Sequence, residues 1–86
     1  MHTVTLLIPT LNEVEGCRAI MPKIDRSWVD QILFLDGGST DGTIEYAREN
    51  GYEIHVQKER GIRQGYNECL PLIRGDVILT FGLPPR

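Results

Sequence analysis

The stretch FLDGGSTDGT, residues 34–43, opens as an apolar strand and turns within three residues into glycines, hydroxyls and two aspartates. Gly37 and Gly38 allow the backbone a positive φ or a close approach to a ligand, which a Cβ would prevent. Asp41 is placed to cap a following helix and Gly42 eases the turn into it. A capped polar turn is the plain account of Asp41, Gly42 and Thr43. Asp36 differs, because it closes the strand with a carboxylate that can accept from a ring N–H or from ribose hydroxyls.

Working outward, residues 4–8 form a short apolar run ended by Pro9, the pattern of a strand buried on both faces. In NEVEGCRAIMPKI, residues 12–24, Val14, Cys17, Met21 and Ile24 share one helical face. Asn12 and Glu15 have the spacing of an N-cap and its capping-box partner, which predicts a helix start near Glu13, and Pro22 kinks or ends that helix. A second strand is expected over 31–35, a second helix over 43–50 closed by Gly51, and a third strand over 53–57. Ile62, Tyr66, Cys69, Leu70 and Ile73 form an apolar stripe that predicts a third helix over 62–73, bent or shortened by Pro71. A fourth strand is expected over 76–81.

The resulting order is βαβαβαβ, an α/β chain whose short crossovers give one mostly parallel sheet. Such sheets bind ligands beyond the carboxyl ends of their strands, where the strand order reverses. Pro9, Thr10, Asn12 and Glu13 follow the first strand and Asp36 closes the second, so both strand ends address one crevice. That position is why Asp36 is read as functional.

Composition narrows the classes. The 86 residues allow one small domain, and 41% hydrophobic with 24% charged residues is ordinary globular usage. Nine basic against twelve acidic residues give a net charge of −3, a poor match for a phosphate backbone, so nucleic acid is not an expected partner. Cys17 and Cys69 form no CxxC pair and read as small core residues of a reducing compartment. The chain carries no GxxxxGK[ST] and no GxGxxG after its first strand, which argues against P-loop ATPases and dinucleotide dehydrogenases. With no leader-like n-region and no stretch near the ~20 apolar residues of a membrane span, a soluble cytoplasmic chain is expected.

IPTLNE, then LDGGSTDGT, then KERGIRQGYNECLPLIRGDVILTF together resemble the amino-terminal half of the family 2 inverting glycosyltransferases, particularly those similar to dolichol-phosphate mannosyltransferases. The resemblance covers residues 4–81 and implies a three-layer, Rossmann-like half of a GT-A fold. It further implies binding of a UDP- or GDP-sugar and transfer of the sugar to an acceptor such as a polyprenyl phosphate, with the complete enzyme at the cytoplasmic face of a membrane. By resemblance, Pro9, Thr10 and Glu13 line the base and ribose, Asp36 binds the base or ribose, and Gly37 and Gly38 belong to the same loop. Many relatives read DDGS where this chain has Asp36, Gly37, Gly38 and Ser39. Arg60, Gly61, Arg63 and Gly65 border the diphosphate region. Lys58, Arg60 and Arg63 equally suit a solvated loop; Arg63 is preferred among them because a guanidinium at a helix start suits a diphosphate.

In that family an acidic motif after the fourth strand holds Mg²⁺ or Mn²⁺ against the diphosphate. Here the strand runs into Gly82, Leu83, Pro84, Pro85 and Arg86. Asp76 stands at the other end of that strand, so no metal ligand and no catalytic residue is assigned within residues 1–86. The expectation is a single, truncated nucleotide-sugar-binding part, inactive alone, with self-association through the fourth strand as an unpaired apolar edge. The alternatives are a non-catalytic Rossmann-like module that binds a nucleotide or a protein, and an unrelated domain of similar loops.

Overall fold

The computed structural model describes residues 2–83. Its strands are β1 (Val4–Thr10), β2 (Gln31–Asp36), β3 (Glu53–Val56) and β4 (Val77–Thr80). They form one parallel sheet in the order β3-β2-β1-β4. The helices are α1 (Val14–Ile20), α2 (Thr43–Glu49) and α3 (Ile62–Cys69). β1 and β2 lie at the centre, and the order reverses after β3, because the chain returns past β2 and β1 to add β4 on the far side. This is the crossover pattern that opens a crevice at the carboxyl ends of β1 and β4.

Alternation along the central strands builds two cores. Leu6, Ile8, Ile32 and Phe34 face one way and pack with Cys17, Met21 and Ala47 from the α1 and α2 side. Leu7, Leu33 and Leu35 face the other way and pack with Cys69, Tyr66 and Ile73 from the α3 side. All six residues of β2 are buried, as a central parallel strand requires. The three layers, the βαβαβαβ element order and the parallel sheet expected from the sequence are therefore present. The α1 face is also as expected, with Val14, Cys17 and Met21 buried and Ile24 packed against them.

Pro9 lies inside β1, pairing with Leu35 of β2. The carbonyls of Thr3 and Leu7 accept from the amides of Val77 and Phe81. Pro9 is the next residue of β1 on that side and has no N–H, so the ladder to β4 stops there.

Three local expectations are corrected. The α-helical part of the third helix ends at Cys69, and a 3₁₀ turn with Pro71 spans Leu70–Leu72. The stripe is kept in part: Tyr66, Cys69 and Ile73 reach the core, while Leu70, at the change of pitch, is 55% exposed and Ile62, at the helix start, 80%. The capping box at α1 does not form, since its N-cap is Glu13 and no local side chain caps it. The fourth strand is four residues long, and Val77, Ile78, Leu79 and Thr80 are all exposed.

Candidate functional site

Three loops meet beyond the carboxyl ends of the strands, following β1, β2 and β3. The first two are bonded to each other. The Asn12 amide donates to the Ser39 hydroxyl at 2.8 Å, and the Thr40 amide donates to Asn12 Oδ1 at 2.8 Å. The Glu13 amide donates to the Thr43 hydroxyl at 3.0 Å and the Val14 amide to Asp41 Oδ2 at 3.1 Å. The free amides at the start of α1 are thus satisfied by the loop that enters α2. Asp41 also accepts from the Thr43 amide at 3.0 Å, so one carboxylate serves the amino ends of two helices. Burial raises its pKa, but the hydrogen bonds from the Thr43 hydroxyl and the Val14 and Thr43 amides outweigh this and hold it below the usual range.

Asp36 lies beneath these loops and is fully buried. It accepts from the Thr10 hydroxyl at 2.7 Å, the Ser39 hydroxyl at 2.6 Å, and the amides of Ser39 at 2.7 Å and Gly38 at 2.9 Å. Both oxygens are occupied, and the Thr10 hydroxyl is occupied with them. The residue read from the sequence as a ligand acceptor is therefore the knot that ties the glycine turn to β1.

The third loop is fastened from α3. Glu68 accepts from the Lys58 amide at 2.7 Å and the Glu59 amide at 3.0 Å, and pairs with His55 Nε2 at 2.8 Å. The hydrogen bond to His55, with the two amides behind it, lowers the Glu68 carboxyl to about 2. His55 thus has a structural partner. The Gln57 side chain donates to the Gly61 carbonyl at 2.9 Å and completes the turn.

Between the loops, on the α3 face of the sheet, runs an open groove of about 790 Å³, within the range of small-ligand sites. Of the residues read from the sequence, Pro9, Thr10, Glu13, Gly37 and Gly38 line it. Arg63, the preferred cation, does not; Arg60 lines the groove in its place, with Gly61 beside it. Leu11, Leu35, Gln57, Ile62 and Tyr66 complete the wall. None of these five is expected at the site from the sequence, which assigns Ile62 and Tyr66 to the core, although Gln57 follows the third strand and the rule that singled out Asp36 applies to it as well.

Among the described residues, Glu13 is the only carboxylate of the lining and Arg60 its only cation. They come from different loops, so the groove has an acidic and a basic end. Burial pushes the Cys17 thiol up to about 11, with the carboxylates of Glu13, Asp41 and Asp36 adding to it. Burial raises Cys69 too, so both cysteines are inert core residues, as expected. Among the described residues no group of three or more His, Cys, Asp or Glu could hold a metal ion. These residues do not fit a divalent-cation site, and no chemistry through a metal follows from them. Asp76 lies at the start of β4, away from the groove, as expected; residues 84–86 of the tail lie outside the described residues. Among the described residues, no helix is long and apolar enough to cross a membrane.

No family model matches the chain. Over 67 residues, 78% of the chain, it is 36% identical to glycosyltransferase AglJ of Haloferax volcanii, covering 22% of that protein. Glucosyl-3-phosphoglycerate synthase of Mycobacterium tuberculosis, in complex with Mn²⁺, UDP and glucosyl-3-phosphoglycerate, aligns with a TM-score of 0.73 and 26% identity, covering 95% of this chain and 33% of that one. The UDP complex of the same enzyme aligns with a TM-score of 0.75 and 25% identity, over 99% of this chain and 35% of that one. The chain thus spans about a fifth to a third of the length of the proteins it matches. Over most of its residues it is homologous to a glycosyltransferase, and its sheet and helices are the Rossmann-like portion of a GT-A fold.

Proposed function

We propose that this chain is the nucleotide-sugar-binding part of a family 2 glycosyltransferase and that its groove takes a UDP- or GDP-sugar. The observation that carries the reading is the polarity of the groove, with Glu13 on the loop after β1 and Arg60 on the loop after β3. The nucleoside lies toward Pro9, Thr10, Glu13 and Gly37, where a carboxylate accepts from ribose hydroxyls or a ring N–H. The diphosphate lies toward Arg60 and Gly61, where a guanidinium meets phosphate oxygens with forked hydrogen bonds. Asp36 and Thr10 act from beneath by fixing the loop. Arg63 takes no part.

The same reading extends to the whole enzyme, which passes the sugar to an acceptor such as a polyprenyl phosphate, with inversion and with Mg²⁺ or Mn²⁺ supplied by residues beyond the described ones. It works in the cytoplasm, at the membrane face where such acceptors lie. The isolated chain binds and does not transfer. Its exposed β4 associates with another copy, because an apolar strand with a free edge offers both pairing groups and surface.

An NMR titration of the isotopically labelled chain with UDP and GDP tests the site. Saturable shifts are expected at Thr10, Gly37 and Arg60. Glu13→Ala should weaken binding by on the order of 10-fold to 150-fold, the equivalent of about 1.5–3 kcal/mol for a hydrogen bond to a charged group. A well-dispersed spectrum that ignores both nucleotides sinks the proposal.

A further inference from the structure

The segment that carries Arg60 is exposed throughout, from Lys58 to Gly61, and it is fixed through its backbone. At its start, Glu68 Oε1 accepts from the Lys58 amide at 2.7 Å and Oε2 from the Glu59 amide at 3.0 Å. At its end, the Gln57 side chain donates to the carbonyls of Glu59 and Gly61. Arg60 lies between these two holds. Gly61 follows with φ +107°, a turn that suits only a glycine, so the direction of the Arg60 side chain depends on where the bonds keep the backbone. Glu68 itself does not line the groove and belongs to neither core cluster. Its remaining partner is His55 Nε2, 2.8 Å from Oε1, which braces the carboxylate from β3. A side chain that adds to neither the core nor the groove thus directs both oxygens at one loop.

We infer that Glu68 is a positioning residue for the basic end of the groove: by holding the Lys58 and Glu59 amides from α3 it presents Arg60 to an anionic ligand. The inference rests on the nucleotide-sugar reading given above and adds to it a residue that governs diphosphate binding without touching the ligand. Arg60 is the only cation among the described residues of the lining, so the charge of a bound diphosphate is met there. Releasing the two amides leaves the guanidinium in place chemically but frees the backbone beneath it, and that freedom is then lost on binding.

The test is a double-mutant cycle in UDP affinity, read by NMR titration of the wild-type chain, Glu68→Gln, Arg60→Ala and the two together, with thermal unfolding of each. Glutamine has the shape of glutamate but a single acceptor oxygen, so Glu68→Gln should keep the fold and move the Lys58 and Glu59 amide resonances. Arg60→Ala should weaken UDP binding on the order of tenfold or more, and Glu68→Gln by about three- to tenfold. The double variant should bind no more weakly than Arg60→Ala alone, because Glu68 then has nothing left to position. Glu68→Asp, which keeps the charge on a shorter stem, takes the place of Glu68→Gln in the cycle if that variant unfolds early. Unchanged UDP affinity in the folded Glu68 variant overturns this inference alone, and so do losses that add in the double variant. An Arg60→Ala chain that binds UDP as the wild type does overturns this inference and the place given to the diphosphate, with the nucleotide reading intact. A wild type that binds neither UDP nor GDP overturns this inference and the nucleotide reading together.

Discussion

β2 and β4 are both short apolar strands of the same parallel sheet, one reading QILFLD and the other VILT. Every residue of β2 is buried and every residue of β4 is exposed. Their hydrophobicity does not distinguish them; their neighbours do. β2 has a strand on each side, α1 and α2 above it and α3 below. Among the described residues β4 pairs only with β1, and Ile78 and Leu79 remain 45% and 50% exposed. An apolar run states that a segment can be buried, while topology decides whether it is. Only β2 has its burial completed within the described residues.

The sharpest way to break this contrast is to cut each strand in turn. Phe34→Ala removes a fully buried ring and should lower unfolding stability by roughly 3–5 kcal/mol in a urea melt. Ile78→Lys on β4 should change that melt by no more than about 0.5 kcal/mol while making sedimentation independent of concentration. Similar losses for the two variants would mean that Ile78, 45% exposed in the single chain, is buried in solution and that the contrast between the strands does not hold there.

The next effect in size concerns the end of β2. Asp36→Ala leaves the buried Ser39 amide without its acceptor, at a cost of roughly 1–3 kcal/mol for that group alone. Thermal unfolding should register the loss with no nucleotide present. Full stability with weakened UDP binding would instead return Asp36 to direct contact with the ligand.

The smallest effect is local and depends on pH. The Glu68 carboxyl titrates at about 2 in the folded chain against an ordinary 4.5, so its contribution is fully present above about 4.5 and is lost as pH falls toward 2. The Lys58 and Glu59 amide resonances, which report the third loop, should move with an inflection near that lower value. Glu68→Gln should abolish the inflection. A wild-type inflection near 4.5 would show that Glu68 does not hold the loop.

Much of this molecule is written locally in its sequence. The alternation of Leu6, Leu7 and Ile8 and the apolar run before Asp36 identify two central strands whose carboxyl ends carry the groove, although it extends over the β3 end and not toward β4, where the strand order reverses. The α1 stripe succeeds because Val14, Cys17 and Met21 stay in phase over an uninterrupted helix and into the turn that follows. The α3 stripe holds only in part: Leu70 is turned outward where the 3₁₀ segment with Pro71 begins, and Ile62 opens the helix beside the groove and not over the sheet. Capping shows the same limit. Asn12 and Glu15 have the spacing of a local cap, but the groups that satisfy the start of α1 belong to Asp41 and Thr43, 27 and 30 residues away from their partners. Choosing Arg63 over Arg60 required knowing the direction in which the first turn of α3 faces, and neighbouring residues in a helix point to different sides.

The shared carboxylate of Asp41 also has a mechanical consequence. Because it holds the amino ends of α1 and α2 at once, the first two loops behave as one fixed jaw and neither can shift without the other. The third loop is tied differently: to Glu68 and Gln57, and to the end of β2 through the Gln57 amide, which donates to the Asp36 carbonyl at 2.8 Å. The segment carrying Arg60 is therefore anchored chiefly through α3, separately from the jaw formed by the other two loops.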